Sequence, residues 1–408
     1  MTRTTTGDFF KVLRRGLAAS VVAAFAATAA GGTALAIETK AREALLMDFD
    51  TETVMFAKDA DVQMPPSSMS KLMTTYVVFD MLKQGKLKMD DIFSVSENAW
   101  RKGGAASGGS TMFLEPNSQV TLEELLHGII IQSGNDACIV VAENVSGSEA
   151  AFAQLMNREA EKIGLTGSNF TNATGLPAPD HYMTARDLAT LAKRIILDFP
   201  EYYDIYSKTE YTYNGITQHN RNPLLYMPID ADGLKTGHTE VAGYGLTASA
   251  KRAERRLILV VNGLDSTKER AQETQQLLDW GFRTFENRDL FDKGEVVESA
   301  EVWLGEADTV PLVIDRDLHL TIPRQPSDEF RVSVVYDGPI PAPIQKGQQL
   351  ATLVVEGPEM ERQTVPLIAG EDVPKLGFVG RMGAAAKHLV FGAARQAMDA
   401  AAPQPAEQ

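Results

Sequence analysis

The sequence predicts an α+β domain, followed by a small all-β domain and a C-terminal amphipathic helix. Three observations predict this. Strand-type runs stand at both ends of the segment 37–288 with helix-type runs between them, the pattern of an antiparallel sheet that carries a helical block. The segment 289–374 has short β-type runs with Gly and Pro between them at regular intervals. From 375 to 408 an alanine-rich helical pattern leads into a Pro-containing tail.

Bulk composition narrows the function. The chain has 408 residues, 44% hydrophobic and 23% charged, which is ordinary globular composition and enough for two domains. A formal net charge of −15 argues against nucleic acid as a partner. Cys138 is the single cysteine, so no disulfide forms within the chain and no cysteine-based metal site is available. It lies in the apolar run Ala137 to Ala142 and is expected in the core.

Residues 1–36 have the layout of an export signal. Lys11, Arg14 and Arg15 make a basic start, Leu17 to Ala30 is small and apolar, and Ala34-Leu35-Ala36 is a cleavage site. The apolar run is short and alanine-rich for a membrane span. An exported protein is therefore expected.

In chain order, Ala44 to Phe49 and Thr53 to Ala57 flank the turn Asp50-Thr51-Glu52 and predict a hairpin. Pro65-Pro66 then stops the chain. Ser67-Ser68-Met69-Ser70-Lys71 opens an apolar helix that ends near Gly85. Gly103 to Ser110 is a glycine-rich loop without the strand-loop-helix pattern of a phosphate site. It fits the rim of a cleft. Thr121-Leu122-Glu123-Glu124 is a capping box ahead of an apolar helix. That helix breaks at Ser133-Gly134-Asn135, and a second one starts at Asp136. Further helices are expected at Phe152 to Ile163, Ala185 to Leu197 and Lys268 to Phe285. Strands are expected at Tyr211 to Asn214, Gly245 to Ala250 and Arg256 to Val261.

Three clusters carry chemistry. Ser68 and Lys71 stand three apart at a helix start, so their side chains share a face. A serine hydroxyl needs a neighbour to take its proton, and a desolvated lysine can do so because its pKa falls. The same spacing also suits a capping serine and a snorkelling lysine. Ser133-Gly134-Asn135 is a polar loop pinned between two apolar helices, although Gly and Asn also mark ordinary turns. Lys235-Thr236-Gly237 lies in Asp232 to Thr239, ahead of the last strands.

In that order the trio resembles the penicillin-binding protein and serine β-lactamase superfamily. The fuller wording resembles the low-molecular-mass D-alanyl-D-alanine carboxypeptidases of peptidase family S11. It covers Pro66 to Thr74, Ile131 to Ala137, Asn220-Arg221-Asn222 and Asp232 to Thr239. The fold implied is penicillin-binding/β-lactamase-like, with a β-rich second domain and an anchor helix.

The resemblance implies a reaction. Ser68 attacks the carbonyl between two terminal D-alanines of a peptidoglycan stem peptide, Lys71 takes its proton, and an acyl-serine forms and is hydrolysed. Backbone N–H groups of Ser68 and His238 hold the oxyanion. Ser133 relays a proton to the leaving amine, and Asn135 contacts Lys71 and the substrate amide. Lys235 and Thr236 bind the substrate carboxylate on an edge strand. Gly237 leaves room for substrate backbone, and Arg221 and Arg270 match arginines near that pocket. No metal or other cofactor is required, and β-lactam antibiotics are the expected inhibitors.

The C-terminal helix carries Arg381, His388 and Arg395 on one face, with Leu376, Val379, Met382, Leu389 and Val390 on the other. This pattern suggests attachment to a membrane surface, placing the protein in the periplasm at the outer face of the inner membrane. Rival activities are a D,D-endopeptidase, a β-lactamase and an idle cell-wall scaffold. The class A β-lactamase route needs a glutamate for its water, and the loop Asn169 to Met183 has none.

Overall fold

The computed structural model describes residues 2–5, 37–325, 330–357, 360–378 and 380. Five antiparallel strands form the central sheet, in the order Val54–Lys58, Glu43–Asp48, Arg255–Leu264, Gly243–Arg252, Ala231–Thr239. The first two come from the N-terminal side and the last three from residues 231–264, so the sheet is built from both ends as the run order predicts. Alternation decides the faces. Leu45, Met47, Ile258 and Val260 point into the core of the helical block. Ala44, Leu46, Leu257 and Leu259 point the other way, onto Leu277, Leu278 and Trp280 of the Thr267–Thr284 helix.

The helix Lys71–Lys83 runs through the middle of the block. Its residues 71–79 are all buried, which is why its apolar residues are not confined to one face. The capping box at Thr121 forms, with Thr121 Oγ1 accepting from Glu124 N at 3.2 Å and Glu124 Oε2 accepting from Thr121 N at 2.9 Å. The helix after it ends at Ile130, and Asn135–Ser146 follows with Cys138 fully buried.

The opening of the Lys71–Lys83 helix differs from expectation. Ser67–Ser70 is a 3-10 turn rather than the first turn of the α-helix, and no serine side chain caps it. Expected helix bounds at 268–285 also move, because Phe285 has turned extended.

The strand Phe285–Phe291 spans the expected 288/289 boundary and pairs with Leu318–Pro323. The β-rich domain is completed by a sheet that includes Val296–Trp303, Thr309–Val313, Met360–Ala369, Gln349–Gly357 and Arg331–Asp337. Thr2–Thr5 pairs along Arg331–Asp337, and the remainder of the expected leader lies outside the described residues. The Met360–Ala369 strand was not expected; its Pro366 and the adjacent charges Glu361 and Arg362 weaken the signal.

The two domains meet at the Val54–Lys58 side of the central sheet. Asp48, fully buried, accepts from Arg255 Nε at 2.8 Å and from Asn287 Nδ2 at 3.0 Å. Thr51 and Thr321 hydroxyls lie 2.6 Å apart, and Arg186 joins Asp61 and Glu361. Lys375 bridges Gly305 and Leu376 N donates to Leu304 O, so the segment expected to start the terminal helix is still tied to the β-rich domain. Arg381, His388 and Arg395 lie outside the described residues. No helix among the described residues is long and apolar enough to cross a membrane.

Candidate active site

The site lies at the opposite edge of the sheet. There the Ala231–Thr239 strand meets the Ser67–Ser70 turn. Small residues permit the approach. A side chain on Gly237 would press on Pro66 O, Met69 and Ser67 Cβ at 3.0–3.1 Å, and one on Gly245 would reach Met69 Cε at 2.6 Å. Gly237, expected to leave room for substrate, lines the cavity, and its missing side chain also lets the strand pack on the nucleophile turn. Gly175 has φ +77, and a Cβ there would run into the Ser67 carbonyl.

Lys71 is the buried centre. Its Nζ lies 2.9 Å from Ser68 Oγ, 2.8 Å from Asn135 Oδ1 and 2.6 Å from the Thr174 carbonyl. The side chain is 0% exposed. Burial pulls its pKa from the usual lysine range down to about 8, with the Arg221 charge pushing the same way. A neutral amine has two N–H donors and one lone pair. Asn135 Oδ1 and Thr174 O can only accept, whereas the Ser68 hydroxyl can donate. The partner set therefore serves both forms: the charged amine donates to all three oxygens, and the neutral amine donates to Asn135 Oδ1 and Thr174 O with its lone pair facing the Ser68 proton.

Ser133 is left-handed at φ 61 and buried, and its Oγ has no hydrogen-bond partner among the described residues. A buried hydroxyl without a partner costs free energy, about 1–3 kcal/mol in general. That marks it as a group kept free for something else. Asn135 N donates to Ser110 O, which ties the Ser133-Gly134-Asn135 loop to the glycine-rich rim. Asp136 accepts from Thr111 Oγ1 and from Met112 N and Leu114 N, folding that rim onto the helix start.

Three cations line the strand side. Lys235 is buried, and its pKa is well below normal through burial, then through Lys71 and Arg221. Arg270, 6% exposed, has an Nε without a partner among the described residues and lies with its Cζ 5.8 Å from the Tyr244 ring centre. Burial lowers its pKa to about 10. Arg221 is exposed at the cleft mouth and donates to Ser110 Oγ. Among the described residues, none of the three is in an ion pair. Thr236 is buried, and the exposed His238 ring stacks on Tyr244 with centres 3.8 Å apart.

These groups surround a cavity of about 670 Å³. Its lining includes Ser68, Gly108, Gly109, Ser110, Ser133, Arg221, Thr236, Gly237, His238, Tyr244 and Arg270, and no carboxylate among the described residues. An attacking serine, a buried amine and a cationic wall fit acyl transfer from a peptide with a free carboxylate.

The same order of groups recurs in known proteins. Residues 27–266 match the family model described as D-alanyl-D-alanine carboxypeptidase, and residues 285–375 match the C-terminal domain of penicillin-binding protein 5. The chain belongs to the peptidase S11 family of D-alanyl-D-alanine carboxypeptidases. It is 39% identical over 343 residues to D-alanyl-D-alanine carboxypeptidase DacA of Escherichia coli K12, covering 83% of this chain and 85% of that one. With DacC of the same strain it shares 41% over 382 residues, covering 91% and 95%. Penicillin binding protein 5 from Haemophilus influenzae superposes with a TM-score of 0.69 at 37% identity, covering 83% of this chain and 99% of that one. DacD from Francisella tularensis gives 0.72 at 28% identity, covering 89% and 98%. This S11 family member is a serine peptidase with the penicillin-binding-protein fold, an α/β domain followed by a β-rich one.

The structure brings together Ser68, Lys71, Ser133, Asn135, Lys235, Thr236, Gly237, His238, Arg221 and Arg270. Sequence reasoning missed the Thr174 carbonyl, since a backbone acceptor leaves no motif; Gly175 after it was the available signal. It also missed what holds the strand. Asn222 Nδ2 donates to Gly233 O at 2.9 Å, and Asp232 accepts from Tyr203 and Arg256.

Proposed function

We propose that Ser68 attacks the carbonyl between the two terminal D-alanines of a peptidoglycan stem pentapeptide. The C–N bond breaks, the last D-alanine leaves, and water hydrolyses the acyl-Ser68 ester. Lys71 takes the serine proton and returns it toward the leaving amine through Ser133. Backbone N–H groups of Ser68 and His238 receive the oxyanion. Lys235, Arg270 and Arg221 attract the terminal carboxylate, with Thr236 as a donor beside them. The observation that carries the proposal is the Lys71 amine, fully buried and held between Ser68 and two pure acceptors.

Intact β-lactams would load the same serine: Ser68 Oγ attacks the ring carbonyl, the lactam C–N bond breaks, and the ring opens as the ester forms. Penicillin-binding protein D2 of Listeria monocytogenes, 26% identical with a TM-score of 0.53, is known in an ampicillin-bound form. A class A β-lactamase reading lacks support, because no carboxylate among the described residues lines the cavity to activate water.

The test is intact mass of protein lacking residues 1–36, mixed with a penicillin and separately with a peptide ending in D-Ala-D-Ala. A stable adduct on Ser68 with release of one D-alanine supports the proposal. Fast penicillin hydrolysis without D-alanine release would move the protein to the β-lactamases, and no adduct from folded protein would leave a scaffold.

We further infer export to the periplasm and contact of the C-terminal helix with the outer face of the inner membrane. The basic-apolar-Ala34-Leu35-Ala36 leader supports the first, and the Arg381, His388, Arg395 face supports the second. Sedimentation with anionic vesicles, comparing the chain to one ending at 375, tests the second; equal recovery of both would sink it.

A further inference from the structure

The Ser68 turn has a partner that the catalytic account does not use. His181 lies in the loop between Asn169 and Met183, is 6% exposed, and faces Ser70 across the core. Its Nε2 is 2.9 Å from Ser70 Oγ. Its Nδ1 accepts from the backbone N–H of Thr171 at 3.1 Å. An Nδ1 that accepts leaves the ring proton on Nε2, so Nε2 donates to Ser70. Burial, then the nearby Lys71 charge, lowers the His181 pKa to about 4, and the ring stays neutral at working pH.

The geometry connects this pair to the amine. Ser70 is followed at once by Lys71, and Lys71 Nζ reaches back to the Thr174 carbonyl of the His181 loop. The loop ends are pinned elsewhere, by the Met64–Met183 bridge and by Asn169–Tyr182. Inside those ends, Thr74 Oγ1 donates to Ala173 O at 2.7 Å and Asn172 Oδ1 accepts from Thr174 N and Gly175 N. The His181 ring is the side chain that ties loop and nucleophile turn through both of its nitrogens.

We propose that His181 is a positioning residue for acylation, locking the 169–183 loop to Ser70 so that the Thr174 carbonyl stays on the Lys71 amine. This rests on Ser68 and Lys71 acting as described above. The carbonyl shields Lys71 from water and occupies one of its two N–H groups. With the lock removed, water reaches the amine and its protonated form gains. The charged and titratable groups facing Lys71 are Arg221 and Lys235, which disfavour its charge, and Asp136 and Cys138 on the neighbouring helix. None of these belongs to the loop, so their influence remains when His181 is replaced.

The test follows penicillin acylation of Ser68 against pH by stopped-flow and intact mass, in wild type, His181→Ala, His181→Gln and Ser70→Ala. In His181→Ala the rate is expected to fall on the order of tenfold to a hundredfold at neutral pH, as for a small misplacement of a reacting group. The pH midpoint should rise above that of wild type. Glutamine, which keeps one donor and one acceptor, should recover part of the rate and move the midpoint back. Ser70→Ala should shift the midpoint in the same direction as His181→Ala. Folded His181→Ala with wild-type rate and midpoint overturns the inference. So does a slow variant whose midpoint has not moved and which glutamine does not help. If His181→Ala fails to fold, Ser70→Ala and His181→Gln decide it by the same midpoint. Wild type that is never acylated would instead overturn the role of Ser68, a separate failure.

Discussion

The two edges of the central sheet treat buried charge in opposite ways. At the Val54–Lys58 edge, Asp48 is fully buried and fully answered, accepting from Arg255, Asn287 and the backbone N–H groups of Asp50 and Thr51. At the Ala231–Thr239 edge, Lys71, Lys235 and Arg270 are as deeply buried, yet no carboxylate pairs with any of them among the described residues. Ser133 Oγ and Arg270 Nε lack any partner there. A buried charge that is paired holds a structure together, and an unpaired one is maintained at a cost. The first edge joins two domains. The second awaits a substrate that brings a carboxylate and a carbonyl.

The sharpest way to break this contrast is at the nucleophile. Ser68→Ala should abolish covalent labelling by penicillin, read by intact mass, while leaving the thermal melting point near wild type. Lys71→Ala should slow acylation by roughly a thousandfold, in the range typical of a lost general base. A Lys71→Ala protein labelled at the wild-type rate would place the base elsewhere.

The next effect is in pH. Acylation requires neutral Lys71, so its rate should rise as pH passes about 8, where burial has brought that amine. Carboxylate recognition requires charged Lys235, whose pKa is also pushed well down by burial, so peptide turnover should fall wherever that charge is lost. Peptide turnover that stays flat from pH 6 to 10 would remove the buried-amine account.

A smaller effect separates recognition from chemistry. Arg270→Gln should raise KM for a peptide ending in a free carboxylate by about tenfold, the scale of one charge-assisted hydrogen bond. The amidated peptide should be affected far less. Equal loss for both peptides would make Arg270 a packing residue.

The paired edge should respond only in stability. Asp48→Ala leaves Arg255 and Asn287 without their acceptor, and is expected to cost about 3 kcal/mol in denaturant unfolding. The acylation rate of the remaining folded protein should be unchanged. A lost rate with intact stability would show that the junction speaks to the cleft.

Much of this was legible in the chain. The hairpin at Asp50, the capping box at Thr121, and the strands expected at 245–250 and 256–261, which in the fold extend to 243–252 and 255–264, follow from local patterns of polarity and turn residues, which act within a few residues. The triad of motifs was legible for the same reason: each is a short run in a local context. Less legible was the Ser67–Ser70 turn. Its 3-10 geometry comes from packing against Gly237, Gly245 and Gly175, which are far away in sequence.

By itself, then, the sequence determined most of the elements, their order, and the residue types that could react. Tertiary structure alone decided that Thr174 would lend a carbonyl to Lys71, that His181 would sit on Ser70, and that Gly237 would let the strand pack on the nucleophile turn. Those outcomes depend on burial and on contacts between segments about a hundred residues apart or more. Desolvation, which makes a lysine a base, is a property of the packed neighbourhood and not of the residue.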